Sequence, residues 1–239
     1  EDKTENSLGS LDYWIVKLDA GGNLVWQECL GGDSVDRAYS VQQIADGGFI
    51  VAGYSNSNNE NVSGNHGAFD YWIVKLDTVG NLIWQKSLGG SSGDAAYSIQ
   101  QTADGGFVVG GYSLSNDGDV TEALGNGDYW IVRLDASGNL VWQKSMGGSV
   151  DDLAYSLQLT NDGGFIVAGW SLSNNGDVSG NHGSFDYWVV KLSSDSATGV
   201  SLLASNDISL YPNPVQSELT INLPTQANMS QIHIYDLQG

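Results

Sequence analysis

The chain has 239 residues, of which 41% are hydrophobic, and its 28 acidic residues against 8 basic ones give a formal net charge of -20. This length allows one or two folded domains with a core. So negative a chain repels phosphate backbones and anionic lipid surfaces, and no stretch approaches the roughly 18 apolar residues of a membrane span, so neither nucleic-acid binding nor membrane insertion is expected.

One segment occurs four times along the chain. The sequence DYWIVKLD begins at Asp12 and recurs with small changes at Asp70, Asp128 and Asp186, so that each copy starts 58 residues after the previous one. A fixed period of this kind indicates a supersecondary unit that buries its apolar face by packing on its neighbours. We therefore assign residues 1–192 to β-propeller-like repeats.

Each repeat contains four strand candidates. In the unit that starts at Ala38 they are AYSVQQI (38–44), FIVAGY (49–54), YWIVKL (71–76) and LIWQKSL (82–88). The Asp-Gly-Gly run at 46–48 is typical of a tight hairpin turn, and the polar stretch 55–68 is a surface loop. The predicted fold class is all-β, with four-stranded antiparallel blades. Cys29 is interpreted as a small buried or half-buried side chain.

The order of strands within a repeat resembles that of kelch-type β-propeller blades, on the Gly-rich strand ending in Ala-Gly-Tyr and the Tyr-Trp strand followed by a Trp strand. The resemblance covers residues 12–192 and implies blades packed around an axis. About three blades are too few to close a ring. Three explanations stay open: a fragment of a longer array, two chains that complete each other's end blades, or an open stack with capped edges. The second would make a homo-oligomer through open blade edges.

The composition changes after the repeats. Residues 193–207 are rich in Ser and Ala and are interpreted as a linker. Residues 208–239 resemble the start of the type A C-terminal sorting domain of the bacterial type IX secretion system, on Tyr-Pro-Asn-Pro at 211–214, the alternation of Leu219 and Ile221, and Ile-Tyr-Asp-Leu-Gln-Gly at 234–239. The resemblance implies a small β-sandwich that is truncated here, recognition by the type IX secretion machinery, and a secreted or outer cell-surface location.

One aspartate precedes the first strand of every unit, two residues before Ala-Tyr-Ser or its equivalent. In a propeller this position lies near the strand that lines the channel, so the carboxylates are candidate ligands for a cation or a sugar. The alternative is that each one caps a turn or bonds across blades. The residues are Asp36, Asp94 and Asp152.

The long loops carry oxygen side chains around a glycine, as calcium loops do. Asp117, Asp119 and Asp177 are therefore candidate Ca²⁺ ligands, although Asn, Asp and Gly are also ordinary turn residues and the spacing of a known calcium loop is absent. His66 and His182 lie in identical Asn-His-Gly settings and are interpreted as loop residues without a partner.

Half of the basic residues occupy a single repeated strand position. A charge in the middle of a packed sheet needs a partner, so we expect each of them to meet a carboxylate, of either the Asp36 or the Asp12 class. The residues are Lys17, Lys75, Arg133 and Lys191.

No nucleophile elbow, metalloprotease helix, phosphate loop or cysteine pair occurs in the sequence. We therefore favour a non-catalytic binding or scaffold module with a glycan or protein ligand. Two alternatives are part of a propeller-type carbohydrate-active enzyme, a hydrolase or lyase, and a self-assembling structural surface protein. The Trp and Tyr side chains at strand positions are expected to fill space between blades; the alternative is that exposed ones stack on sugars.

Overall fold

The computed structural model describes residues 7–193, 209–211 and 220–222, and within these ranges the chain is all-β. The described part contains no helix, and so none that is long and apolar enough to cross a membrane. The first sheet has two strands, β1 (Tyr13–Leu18) and β2 (Leu24–Leu30). The second has four antiparallel strands, β3 (Asp36–Gln43), β4 (Phe49–Ser55), β5 (Asp70–Leu76) and β6 (Leu82–Leu88), in that order across the sheet.

The next sheets repeat the same order. The third sheet contains β7 (Asp94–Gln101), β8 (Phe107–Ser113), β9 (Asp128–Leu134) and β10 (Leu140–Met146). The fourth contains β11 (Asp152–Leu159), β12 (Phe165–Ser171) and β13 (Asp186–Leu192). The predicted fold class and the four-stranded antiparallel unit are therefore confirmed. The first strand of each unit begins two residues before the predicted start, because the amide of its aspartate is bonded to the preceding sheet, as Asp94 N is to Phe69 O.

A recurring hairpin turn, which contains an aspartate and a glycine, sets the boundaries of the strands on either side of it. At the turn between β5 and β6, Asp77 Oδ1 accepts hydrogen bonds from the amides of Val79 and Asn81, both at 2.9 Å. Gly80 closes this turn with a φ of 98°, a conformation that glycine adopts without steric cost. The same Asp and Asn pairing recurs at Asp19 and Asp135, which explains why the first three copies turn after the same number of residues.

The apolar core lies between successive sheets. Side chains of the second and third sheets form one cluster, and similar clusters lie between the first and second and between the third and fourth sheets. The largest buried side chains are aromatic, since Trp72 and Trp130 are fully buried at equivalent positions in β5 and β9. Each unit therefore buries its apolar face against its neighbours, as the repeat period predicts. Cys29 is buried, as predicted.

In three of the four copies the repeated basic position has a carboxylate partner of a different class from the one predicted, whereas Lys17 Nζ lies over the ring of Phe49, 5.3 Å from its centroid. Lys75 pairs with Asp46 at 2.9 Å, and the equivalent pairs are Arg133 with Asp104 and Lys191 with Asp162. These aspartates belong to the hairpin turn between the first two strands of the unit, so the expected pairing with the Asp36 or Asp12 class was wrong. The cross-strand register explains the choice, because Lys75 lies opposite Ile50, near that turn.

Two short strands of the C-terminal segment are described, β14 (Ser209–Tyr211) and β15 (Thr220–Asn222), and they pair antiparallel. β15 falls within the alternating run predicted at 219–223. The remaining predictions for this part of the chain, including the linker after Ser193, the Pro-Asn-Pro run at 212–214 and the Ile-Tyr-Asp-Leu-Gln-Gly run at 234–239, lie outside the described residues.

Candidate functional site

A row of three tyrosines runs across the first strands of successive sheets. Tyr39, Tyr97 and Tyr155 occupy the same repeat position, and their ring centroids are 4.8 Å and 4.9 Å apart. Tyr39 is 46% exposed and Tyr155 is 45% exposed, while Tyr97 is half-buried between them. We call these three residues the tyrosine row.

A β-bulge places each of these tyrosines outside the regular ladder. In the second sheet Ala38 pairs with Gly53 and Ser40 pairs with Ala52, so Tyr39 is the extra residue. The same shift occurs between Ala96 and Ser98, and between Ala154 and Ser156. A bulge re-aims the side chain of its extra residue, which explains why a tyrosine in the first strand reaches its counterpart in the next sheet.

A second rank of aromatic rings lies beside the row. The ring centroids of Tyr54 and Tyr39 are 6.0 Å apart, and those of Tyr112 and Tyr97 are 5.9 Å apart. In the fourth sheet Trp170 donates its indole N–H to the Tyr155 hydroxyl at 3.3 Å. Burial and the neighbouring tyrosines raise the pKa of both Tyr97 and Tyr112. The hydroxyl groups at the middle of this surface are therefore neutral donors and acceptors at physiological pH.

The aspartates predicted as ligands lie in the same three strands as the tyrosine row. Asp36, Asp94 and Asp152 are buried at the start of β3, β7 and β11. Asp94 Oδ2 accepts hydrogen bonds from Gly90 N and Ser115 Oγ, both at 2.8 Å, and the other two make equivalent bonds. Their burial leaves no open path for a sugar, and a cation role for them stays a prediction.

A second set of aspartates, which sequence reasoning did not assign to a site, lies next to the first. These aspartates are Asp12, which immediately precedes β1, and Asp70 and Asp128, which begin β5 and β9. Each one lies close to the aspartate that begins the next sheet. We call these the carboxylate pairs, namely Asp12 with Asp36, Asp70 with Asp94, and Asp128 with Asp152. The signal that reveals them is a doubly repeated aspartate, 24 residues apart in every copy.

A glycine lies between the two members of each pair. A Cβ added to Gly89 would lie 3.0 Å from Asp70 Oδ1 and 2.4 Å from Asp94 Oδ2. The corresponding distances are 2.5 Å and 2.5 Å at Gly31, and 2.5 Å and 2.6 Å at Gly147. The two carboxylates of a pair thus face a common point, with their nearest oxygens no more than about 5 Å apart.

Burial changes the acid–base behaviour of these groups. It raises the pKa of Asp70 to about 6, against the opposing effect of hydrogen bonds from His66. It also raises the pKa of Asp94 and, together with the charges of Asp152 and Asp177, that of Asp128. Ionising both Asp70 and Asp94 in the absence of a counter-charge is therefore costly.

The histidine of the first long loop has a partner, which the sequence interpretation did not expect. His66 Nδ1 lies 2.7 Å from Asp70 Oδ2, and the amide of His66 donates to the same oxygen at 2.9 Å. His182 lies in the same way near Asp186, with its ring nitrogen 3.3 Å from the carboxylate. Both residues lie in loops, as interpreted, but the expectation that they have no partner was wrong.

The loop aspartates proposed as calcium ligands hold the connection that precedes the next sheet. Asp117 Oδ1 accepts from Ser91 N at 2.7 Å, and Asp119 Oδ2 accepts from Gly89 N at 3.2 Å. Asp177 Oδ2 bonds Gly147 N at 3.3 Å in the next copy. No group of three or more His, Cys, Asp or Glu side chains among the described residues is arranged to hold a metal ion. A calcium role for these three loop residues stays a prediction.

An open groove of about 460 Å³ lies between β1 and the first two strands of the second sheet. Trp14, Lys17, Tyr39 and Phe49 are among its lining residues. In the second sheet the equivalent place beside β5 is filled by β4. The groove lies beside β1, which pairs only with β2 among the described residues, and we assign no ligand to it.

Comparison with known proteins identifies the C-terminal segment. A family described as "Secretion system C-terminal sorting domain" matches residues 209–239. Such a domain is recognised by the type IX secretion machinery and implies export to a secreted or cell-surface location. The fold and this domain together define the class of the molecule: an exported all-β repeat protein.

A curated relative is also similar over most of the chain. The "Regulatory protein FlaEY" of Caulobacter vibrioides is 26% identical over 247 residues, which cover 92% of this chain and 26% of that protein. The chain thus spans about a quarter of the relative's length, and the name of that protein gives no ligand or reaction. Neither of these two matches is described as a kelch protein, and the kelch resemblance stays a prediction.

Proposed function

We propose that this exported protein is a non-catalytic binding module that holds a neutral glycan chain along the tyrosine row. The observation that carries the proposal is the row itself, with Tyr39, Tyr97 and Tyr155 at one repeat position and the outer two about half exposed. The sorting domain provides the location in which such a module meets polysaccharides.

The chemistry of the surface suits a sugar. Aromatic rings present apolar faces with a negative quadrupole, on which the C–H groups of a sugar ring stack, while tyrosine hydroxyls supply polar ends. Binding sites of this kind combine aromatic walls with a few polar groups. The net charge of -20 repels acidic polymers, so a neutral glycan is the favoured class.

The regularity of the copies favours binding over catalysis. A reaction needs an acid, a base or a nucleophile placed at one point, whereas the tyrosine row presents the same side chain three times. A polymer with a repeating unit offers the same group at intervals, and therefore matches a repeated surface. A carbohydrate-active enzyme built on these repeats would require one copy to differ from the others in its polar residues.

Affinity electrophoresis through gels that contain neutral soluble polysaccharides tests the proposal. Tyr39→Ala and Tyr155→Ala should each weaken retention about fivefold, on the order of 1 kcal/mol per stacked ring. Tyr187→Ala is the matched control, since Tyr187 is 94% exposed in β13 and does not belong to the row. Equal retention of wild type and both row variants on every glycan that binds would contradict the proposal, as would release of a new reducing end by the wild type.

A further inference from the structure

We propose that each carboxylate pair is a binding site for one calcium ion, which joins one sheet of the array to the next. The three sites are formed by Asp12 with Asp36, Asp70 with Asp94, and Asp128 with Asp152. This inference goes beyond the proposed function and does not depend on the tyrosine row.

The first argument is an unsatisfied oxygen that recurs in every copy. In each of the six aspartates Oδ2 accepts hydrogen bonds, whereas Oδ1 is buried and has no hydrogen-bond partner. Asp70 and Asp94 are both fully buried. A buried carboxylate oxygen without a donor or a counter-charge is costly, and such a group indicates an ion or another partner at that place.

The second argument is the direction in which the two carboxylates of a pair face. The unsatisfied Asp70 Oδ1 faces the same point beside Gly89 as does Asp94 Oδ2, which also accepts hydrogen bonds from Gly90 N and Ser115 Oγ, and these two oxygens are at most about 5 Å apart. Calcium binds oxygens at roughly 2.3–2.6 Å, so two ligands on opposite sides of the ion are separated by roughly twice that distance. A residue with a side chain at position 89 would occupy the space, which accounts for a glycine at the same place in all three copies.

The third argument selects the metal. The donors are hard carboxylate oxygens, and among the described residues no cysteine or histidine joins a pair in a group of three side chains that could hold a metal, as a zinc site requires. Magnesium requires shorter distances and usually keeps several water molecules, which two fully buried aspartates leave little room for. Asp119 and Asp177 lie beside the second and third pairs, through Gly89 and Gly147, whereas the first pair has the neutral Asn61. The second and third sites are therefore expected to bind more tightly than the first.

The position of the pairs explains what the ion would do. Asp70 begins a strand of the second sheet and Asp94 begins the first strand of the third sheet, and the two are held together by the bond from Asp94 N to Phe69 O at 2.6 Å. An ion bound to both carboxylates would connect neighbouring sheets where their main chains meet. Extracellular modules bind calcium with dissociation constants of about 10⁻⁴–10⁻³ M, a range that suits an exported protein.

Calorimetric titration of the chelator-treated chain with Ca²⁺ alone tests the inference. We expect up to three ions per chain, and a higher melting temperature in millimolar Ca²⁺ than in the same concentration of Mg²⁺. Asp94→Asn and Asp152→Asn should each remove one ion from the stoichiometry. Asp77→Asn is the matched control, because it removes the same charge from an exposed turn and should leave the stoichiometry unchanged.

Three results would overturn the inference. The first is an absence of binding heat and of any melting shift in the wild type. The second is an equal loss of binding in Asp77→Asn and Asp94→Asn, which would indicate general attraction of counter-ions to an acidic chain. The third is a wild type without Ca²⁺ binding in which Asp94→Asn raises stability at neutral pH, as expected for a pair that shares a proton. Should a variant fail to fold, displacement of Tb³⁺ luminescence by Ca²⁺ on the wild type decides the same question, with Trp72 near Asp70 as the sensitiser.

Discussion

The hydroxyl of Tyr71 donates a hydrogen bond of 2.8 Å to the main-chain oxygen of Trp130, which lies 59 residues further along the chain and in the next sheet. The bond recurs from Tyr13 to Trp72 and from Tyr129 to Trp188. Burial raises the pKa of Tyr71 well above its usual value, so the hydroxyl remains a donor at physiological pH. Each sheet is thus bonded to the next by one side chain that the repeat supplies in every copy.

Tyr71→Phe should lower the free energy of unfolding by about 1 kcal/mol, because it removes a buried hydrogen bond while the ring still fills its place. Tyr187→Phe is the matched control, since Tyr187 occupies the same repeat position but is exposed in the last described sheet. That change should stay within about 0.5 kcal/mol of the wild type. Denaturant unfolding checks both, and an equal effect of the two variants would contradict the assignment.

Gly111→Ala should prevent folding or destabilise by several kcal/mol. A Cβ at Gly111 would lie 2.0 Å from the carbonyl oxygen of Ala95, which the β-bulge at Tyr97 brings close, and 2.8 Å from the Tyr71 hydroxyl. Neither atom is free to move away, so overpacking of the main chain is expected.

The adjacent glycine provides the control for that variant. The nearest atoms to a Cβ at Gly110 are side-chain carbons of Ile131 and Leu157 at 3.3 Å, and the other copies carry Ala52 and Ala168 at this position. Gly110→Ala should therefore change the melting temperature little. A well-folded Gly111→Ala protein with wild-type stability would show that the bulge is not as tight as the geometry requires.

Stability should depend on pH through Asp70. Its pKa is raised to about 6 in the folded chain, above the value of about 4 for an exposed carboxyl, so protonation favours the folded state. This contribution is complete below about pH 4 and is lost as the pH rises through 6. With a chelator present, the stability of the wild type relative to Asp70→Asn should fall by about 2–3 kcal/mol between pH 4 and pH 7.

The comparison with Asp70→Asn removes the effect of general charge repulsion, which both proteins share because they differ by only one carboxyl among 28 acidic residues. Chemical unfolding at a series of pH values measures the difference. A difference that stays constant or rises with pH would show that the Asp70 carboxyl is ionised in the folded state.

The strands and turns of this protein could be predicted from the sequence, because their determinants are local. Alternating apolar residues defined β5 and β6 to within one residue, and Asp77 with Gly80 defined the turn between them. The same local reasoning predicted a buried Cys29. Repetition strengthened every one of these predictions, since an error in one copy would have recurred in the others.

The candidate sites could not be predicted in the same way. Asp70 and Asp94 are separated by 24 residues and lie in different sheets, so no local pattern brings them together. The exposed position of Tyr39 depends on a one-residue shift in pairing with β4, which alternation alone does not reveal. The partner of Lys75 was predicted wrongly for a similar reason. The turn that contains Asp46 lies next to Lys75 only because of the register between β4 and β5.

Asp104→Asn should destabilise more than Asp46→Asn, although both residues sit at the same turn. Two Asp104 oxygens lie 2.7 Å and 2.6 Å from Arg133 Nη2, and the Arg133 side chain is almost completely buried. Lys75 bonds Asp46 through a more exposed ammonium group. Loss of the carboxylate therefore leaves a buried guanidinium without its counter-charge in one case, and a partly hydrated ammonium in the other.

Asparagine is the appropriate replacement because its side-chain oxygen can still accept the turn bond from the amide of Gly106 or Gly48, so that only the charge is lost. We expect a loss of roughly 1–2 kcal/mol for Asp104→Asn and less than about 1 kcal/mol for Asp46→Asn, since both carboxylates are themselves largely exposed and screened. Urea unfolding at low and high salt measures both values. Salt should reduce the Asp46 effect more, because screening acts most strongly on exposed charges, and the reverse order of the two variants would show that burial of the cation does not set the strength of these pairs.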